Sequence, residues 1–160
     1  MDDDTYLRSH LASAERLIEQ HGWTCQHVLA GEGEPAFTYT IGLHRRGLPE
    51  LIVFGPPEDL ATTMLGSLAR DLLDGRGYAD GDVVDGRTGR REVRVMEVLD
   101  SRSHLLHANA LSGSPLPVPA LQVIYPDVRG VWPWQPGSRI ADVPMLGIVP
   151  DLGVDPRADR

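Results

Sequence analysis

The sequence predicts a single α+β domain, with a curved, mostly antiparallel sheet of about five or six strands packed by an N-terminal helix and a second, central helix. Three observations carry that prediction. Apolar residues recur at helical spacing over 4–21 and again over 57–74. Short β-branched and aromatic runs, separated by glycine and proline turns, occupy much of the rest. The length, 160 residues of which 41% are hydrophobic and 24% charged, suits one globular domain with a core of its own. The domain is expected over 1–150, with a flexible polar tail over 151–160.

Leu7, Leu11, Ala14, Leu17 and Ile18 form the stripe of the first helix, with Asp3 or Asp4 as its cap and Gly22 at its stop. A strand is expected over 23–30, then a turn at Gly31-Glu32-Gly33-Glu34-Pro35. Phe37, Tyr39, Ile41 and Leu43 alternate with smaller residues, a period of two with one bulky face. The continuous run Leu51-Ile52-Val53-Phe54 reads as a strand buried on both faces. Gly55-Pro56-Pro57 opens the second helix, in which Leu60, Met64, Leu65, Leu68 and Leu72 face the core and which Gly75 ends. Residues 75–91 carry turn signals, 93–99 a strand, 100–111 a short helix and 121–125 a further strand. The core is expected to contain Leu7, Leu11, Leu17, Ile41, Ile52, Phe54, Leu65 and Leu68.

Composition narrows the chemistry. All fifteen basic residues are arginine, so a phosphate-binding P-loop lysine, a pyridoxal Schiff base and a lysine nucleophile are excluded. That usage, with abundant Ala, Gly, Pro and Asp, points to a GC-rich bacterial genome. A lone cysteine, Cys25, permits no intrachain disulfide and suits a reducing cytoplasm. With a net charge of −8 the chain repels nucleic acid, and the arginines at 87, 90, 91 and 94 read as a solvated hairpin rim. No apolar run reaches the roughly 18–20 residues that span a bilayer, and the acidic start lacks the pattern of an export signal. A cytoplasmic protein without nucleic-acid or membrane partners is therefore expected; a homodimer is compatible with the sequence.

Strong motifs are scarce. Gly31-x-Gly33 precedes a strand rather than a helix, and Glu32 and Glu34 would repel a pyrophosphate. His21, Cys25 and His27, or His104 and His107, lack the spacing of a closed metal site, so no metal is expected. Cys25 on a strand reads as a small buried hydrophobe rather than a nucleophile. Two segments stand out. The loop 44–50 brings His44, Arg45, Arg46 and Glu50, and the segment 125–137 sets Asp127, Trp132 and Trp134 among prolines and glycines that forbid a central strand.

Phe37-Thr38-Tyr39-Thr40-Ile41-Gly42-Leu43, then Gly47-Leu48-Pro49-Glu50-Leu51-Ile52-Val53-Phe54-Gly55, then Tyr125-Pro126-Asp127-x-x-Gly130-x-Trp132-Pro133-Trp134, resemble the bacterial family called domain of unknown function 4262. The likeness covers roughly residues 4–140 and includes the helix-ending Gly22-Trp23. The chain departs from the family pattern at Leu48, where many members carry histidine, and at Trp132, where they carry phenylalanine. The resemblance implies a shared fold and site region, and no activity or cofactor.

These readings lead to a small-molecule pocket, catalytic or not, between the 44–50 loop and the 125–134 segment. In a catalytic version Glu50 or Asp127 is the general base, and His44 or Arg45 stabilises negative charge. Tyr39, Thr40, Arg45, Trp132 and Trp134 complete the expected binding set. Two other readings stand beside it. The order of elements is similar to the opening of flavin-binding split-barrel oxidoreductases, and Trp132 and Trp134 could anchor a protein partner.

Overall fold

The run Glu50–Phe54 has almost no solvent exposure on either face, and the rest of the molecule is arranged around it. It is β3 of a computed structural model that describes residues 2–85 and 92–149. Before it come α1 (Asp3–His21), β1 (Thr24–Val28), β2 (Phe37–Ile41) and a 3-10 turn (Leu43–Arg46). After it come α2 (Glu58–Leu73), β4 (Val83–Asp85), β5 (Glu92–Glu97), a 3-10 turn (Ser101–Ser103), α3 (Leu106–Ser112) and β6 (Ala120–Ile124). One open sheet results, in the order β1-β2-β3-β6-β5-β4. All its pairings are antiparallel except β3–β6, which runs parallel with Glu50 opposite Ala120 and Val53 opposite Val123. With β1 and β4 left as edges, the sheet does not close as a split barrel would, so the flavin-protein analogy ends with the order of the first elements.

The two faces of β3 explain its unbroken apolar run. Leu51 and Val53 meet Ala61, Met64, Leu65 and Leu68 of α2. Ile52 and Phe54 meet Ile18 of α1 with Leu105 and Ala108 near α3. A sheet covered on both sides has no water-facing strand residues at its centre. The same holds for β2, where Phe37, Tyr39 and Ile41 face the α1 and α3 side. Thr38 and Thr40, on alternate positions, are fully buried as well. They are tolerated because their hydroxyls are bonded, Thr38 Oγ1 to His27 Nδ1 at 2.7 Å and Thr40 Oγ1 to the Leu51 N–H at 2.8 Å.

Several sequence expectations are corrected. The α1 stripe buries only Ala14 and Ile18; Leu7 and Leu17 are 38% and 41% exposed, and Leu11 is half-buried. The helix lies over β1, at the sheet edge, and touches α3 with one narrow side, so its apolar stripe outruns the surface available to cover it. Asp2, not Asp3 or Asp4, caps it by accepting from the Thr5 N–H. Within 75–91, β4 pairs with β5 where turns alone were read. The helix expected over 100–111 is broken after Ser103, although Asp100 does cap its first turn through the Arg102 N–H. The tail at 151–160 and the arginines at 87, 90 and 91 lie outside the described residues.

After the last strand the chain returns across the sheet. Gln122, fully buried, accepts from the Leu146 N–H and donates to the Pro144 carbonyl, while the Leu99 N–H donates to the Leu146 carbonyl. Val143 and Leu146 thereby pack onto the α1 and α3 side of the core.

Two measurements check this account. Ile52→Ala should cost roughly 2–5 kcal/mol in urea denaturation, because it opens a cavity in a strand with no exposed neighbour; an unchanged midpoint would place Ile52 outside the core. Burial, and then the nearby His10 ring, hold the His107 imidazole below its ordinary 6.5. The unfolded chain therefore takes up this proton at higher pH than the native one, and stability is lost as pH falls through about 6.5. His107→Gln should show a shallower loss of stability than the wild type between about pH 7 and 5.5; equal slopes would remove His107 from the account.

Candidate functional site

The parallel β3–β6 pair decides where the two marked segments lie. Glu50 opens β3 opposite Ala120, whereas Asp127 follows the far end of β6. Ile124 alone is four residues beyond Ala120, about 13 Å along the strand. The 44–50 loop and the 125–134 segment therefore sit at opposite ends of the sheet, and the pocket expected between them does not form. Pairing direction is the reason: an antiparallel pair would have brought them together.

At the carboxyl ends of β3 and β6 there is instead a cleft of about 320 Å³. Its walls are the loop entering α2, Gly55-Pro56-Pro57, and the loop leaving β6, Tyr125 to Val128, with Arg139 and Ile140 closing one side. The Tyr125 hydroxyl donates to the Phe54 carbonyl at 2.8 Å and pins the two loops together. Gly55 has φ of +105°, and a Cβ there would stand 2.3 Å from the Tyr125 oxygen, so only glycine fits this contact.

Asp127 gives the second loop its shape. Its Oδ1 accepts from the Arg129 and Val131 N–H groups, both at 2.9 Å, and its Oδ2 accepts from the Arg139 N–H at 3.0 Å. Those donors, Arg139 first and then Val131, hold its carboxyl below the ordinary carboxylate value, with the Arg129 guanidinium 4.0 Å away adding to them. A carboxylate so engaged on both oxygens organises backbone; it is a poor proton acceptor, which argues against the general-base role.

Trp132 and Trp134 do not line the cleft. Their rings stack at 5.5 Å and 9°, and the Arg94 guanidinium lies 5.4 Å from each centroid. Half-buried rings occupied by one another and by a cation form a closed cluster rather than a protruding apolar patch.

At the other end of the sheet Glu50 is fully buried. Its Oε2 accepts from the Thr40 hydroxyl at 3.1 Å and its Oε1 from the His44 N–H at 3.0 Å, with the His44 Nδ1 at 3.5 Å from the same oxygen. Arg45 reaches away, bonding Glu15 of α1 at 2.7 Å. Tyr39 is buried, its hydroxyl accepting from the His107 N–H at 3.0 Å; burial, and to a smaller extent the charge of Glu50, push that phenol up to about 12. Burial, followed by Glu50, likewise pushes the Cys25 thiol up to about 12, so it is a neutral thiol at ordinary pH. Tyr39 and Thr40 thus belong to the interior, and the half-buried Cys25 packs against the core from the edge strand. Among the described residues no group of three or more His, Cys, Asp or Glu side chains is placed to hold a metal ion.

Sequence reasoning missed Gly55, Arg139 and Ile140 as cleft residues, and it placed Tyr125 in the expected pocket only as the start of the 125–134 segment. The Gly-Pro-Pro after an apolar strand and the Tyr-Pro-Asp after another were the available signals, since both mark strand ends.

Fold and site together define a small α+β domain, helices on both faces of one open sheet, with a cleft at the carboxyl ends of its parallel strand pair. The chain belongs to the family described as "Domain of unknown function (DUF4262)", whose model matches residues 17–139. That span runs from the end of α1 to the far wall of the cleft. No curated protein and no solved structure matches the chain. No helix among the described residues is long and apolar enough to cross a membrane.

Replacing Asp127 tests the loop. In Asp127→Asn one carboxylate oxygen becomes an NH₂ that cannot accept from a backbone N–H. Hydrogen exchange should speed up at Arg129 and Val131 or at Arg139, with a lower melting temperature. Because this carboxyl is held low, the wild-type loop should keep its protection above about pH 4 and lose it as pH falls through the lowered value. Unchanged protection in the variant would assign the loop's shape to something else.

Proposed function

We propose that the protein binds a small molecule in the cleft formed by Gly55-Pro56-Pro57, Tyr125 to Val128, Arg139 and Ile140. The observation that supports this most is the cleft's place in the topology. In sheets with parallel strands the loops leaving the carboxyl ends diverge toward their crossovers, and the crevice between them is where ligands bind. Here β3 and β6 are the parallel neighbours, α2 leaves from one and the Asp127 loop from the other. A cleft of about 320 Å³ is at the lower end of the range that holds metabolite-sized ligands.

The lining indicates the ligand's character. Pro56, Pro57, Pro126, Val128 and Ile140 offer an apolar wall, and Arg139 adds one exposed cation at the side. A ligand with a flat or aliphatic body and one anionic group matches that set. The alternative, a protein partner held by Trp132 and Trp134, is less favoured because the two rings already engage each other and Arg94.

A screen of small carboxylates, phosphates and nucleotides by amide chemical-shift mapping tests this reading. Binding should perturb Gly55, Asp127, Val128, Arg139 and Ile140 together, and Arg139→Ala should weaken it tenfold or more while the melting temperature stays within a degree or two. A ligand that perturbs residues elsewhere and leaves these still would sink the proposal.

A further inference from the structure

Asp127 and Glu50 are both buried carboxyl groups, and they are treated differently. Asp127 takes three backbone N–H bonds across its two oxygens. Glu50, deeper and with no measurable exposure, takes one backbone N–H and one hydroxyl. No arginine lies within ion-pair distance of it among the described residues. An ionised carboxylate has about four acceptor sites and costs several kcal/mol to bury without partners.

A further donor close to Glu50 is the His44 ring. Its Nδ1 is 3.5 Å from Glu50 Oε1, is itself sealed from water, and has no hydrogen-bond partner. Two incompletely satisfied polar atoms thus face each other across a gap slightly longer than a hydrogen bond. Such a gap is common at catalytic pairs without substrate, where bonds tighten only on binding. The His44 side chain keeps 11% of its surface exposed, and with Nδ1 sealed from water Nε2 is the ring nitrogen left for a ligand to reach.

The surroundings fix the arrangement. The Thr40 hydroxyl accepts from the Leu51 N–H, so its own proton is committed to Glu50 Oε2. The backbone N–H of His44 holds Oε1, and Gly42, with φ of +119°, starts the 3-10 turn that carries His44. A Cβ on Gly42 would stand 3.0 Å from the Gly22 carbonyl and 3.1 Å from Trp23 Cα, so the turn is pressed against the end of α1. The ring is therefore carried by a turn that packing holds in place.

We propose that His44 and Glu50 form a general-base pair in which Glu50 holds the Nδ1–H tautomer and His44 Nε2 accepts a proton from a small molecule bearing a hydroxyl, thiol or activated C–H. The X–H bond breaks, its electron pair stays on X, and the proton forms the Nε2–H bond of an imidazolium that Glu50 stabilises. His44 is the catalytic residue and Glu50 a positioning residue. The pair lies at the opposite end of the sheet from the cleft, so this proposal and the cleft reading stand or fall separately.

Two readouts test it. Long-range ¹H–¹⁵N NMR of the wild-type chain near pH 8 should show His44 mainly as the Nδ1–H tautomer, the minor form of free imidazole side chains. An Nε2–H tautomer overturns the proposal, and this arm needs no variant. Diethylpyrocarbonate acylation, read per residue by mass spectrometry, should modify His44 at least as fast as the exposed His21. Glu50→Gln, checked for folding by its amide spectrum, should slow His44 tenfold or more and leave His21 unchanged. A change of less than twofold at His44 in the folded variant would also overturn the proposal.

Discussion

The parallel pairing of β3 with β6 is the constraint on which the rest of the structure depends. Antiparallel neighbours can be joined by a hairpin, as β1 and β2 are, but parallel strands need a crossover. The chain meets that need by leaving β3 through α2, building β4 and β5 at the far edge, and returning through α3. Helices consequently lie on both faces, and β3 must be apolar on both. The same pairing puts the exits of both strands at one end, where the cleft is, and the entrance of β3 at the other, where Glu50 is.

Most fully buried polar side chains of this scaffold follow one logic. Thr38, Thr40, Gln122, Ser101 and Asp127 are buried, and each has partners that account for it: an imidazole, a strand N–H, the 144–146 return, a carbonyl, three loop N–H groups. Such groups specify the fold, since a slipped register would leave them unpaired at a cost of about 1–3 kcal/mol each. Glu50 departs from that logic: its complement is incomplete, and the deficit faces the His44 ring, whose Nδ1, like His104 Nδ1, His107 Nδ1 and Arg94 Nε, is buried without a hydrogen-bond partner. Buried groups left short of partners are where function is concentrated.

Local pattern made much of this legible. The unbroken run at 51–54 required a strand covered twice, and the stripe of α2 identified the helix that covers one side. Glu50, His44 and Asp127 stood out as chemistry at strand ends. Pairing direction was not legible, because β3 and β6 are 65 or more residues apart in the chain and either orientation buries the same side chains. That alone turned two site segments into neighbours that they are not. The α1 stripe misled for a related reason: periodicity records which face is apolar, and only the position of β1 at the sheet edge decides how much of it is covered.

The two ends also differ in how rigid their frames are, and that bears on what each can do. At the cleft, the Tyr125 hydroxyl on the Phe54 carbonyl, the Cβ-free approach at Gly55 and the three bonds to Asp127 fix both walls before any ligand arrives. A preformed site avoids the roughly 0.5–1.5 kcal/mol that each immobilised side chain otherwise costs on binding. For the ligand proposed there, specificity would come from shape and one cation rather than from closure. At the Glu50 end the frame is equally fixed through Thr40 and Gly42, but the 3.5 Å separation between ring and carboxylate leaves one contact free to shorten. A rigid cradle around one adjustable proton donor suits proton transfer, where a small movement changes a bond's strength, and it suits simple binding less well.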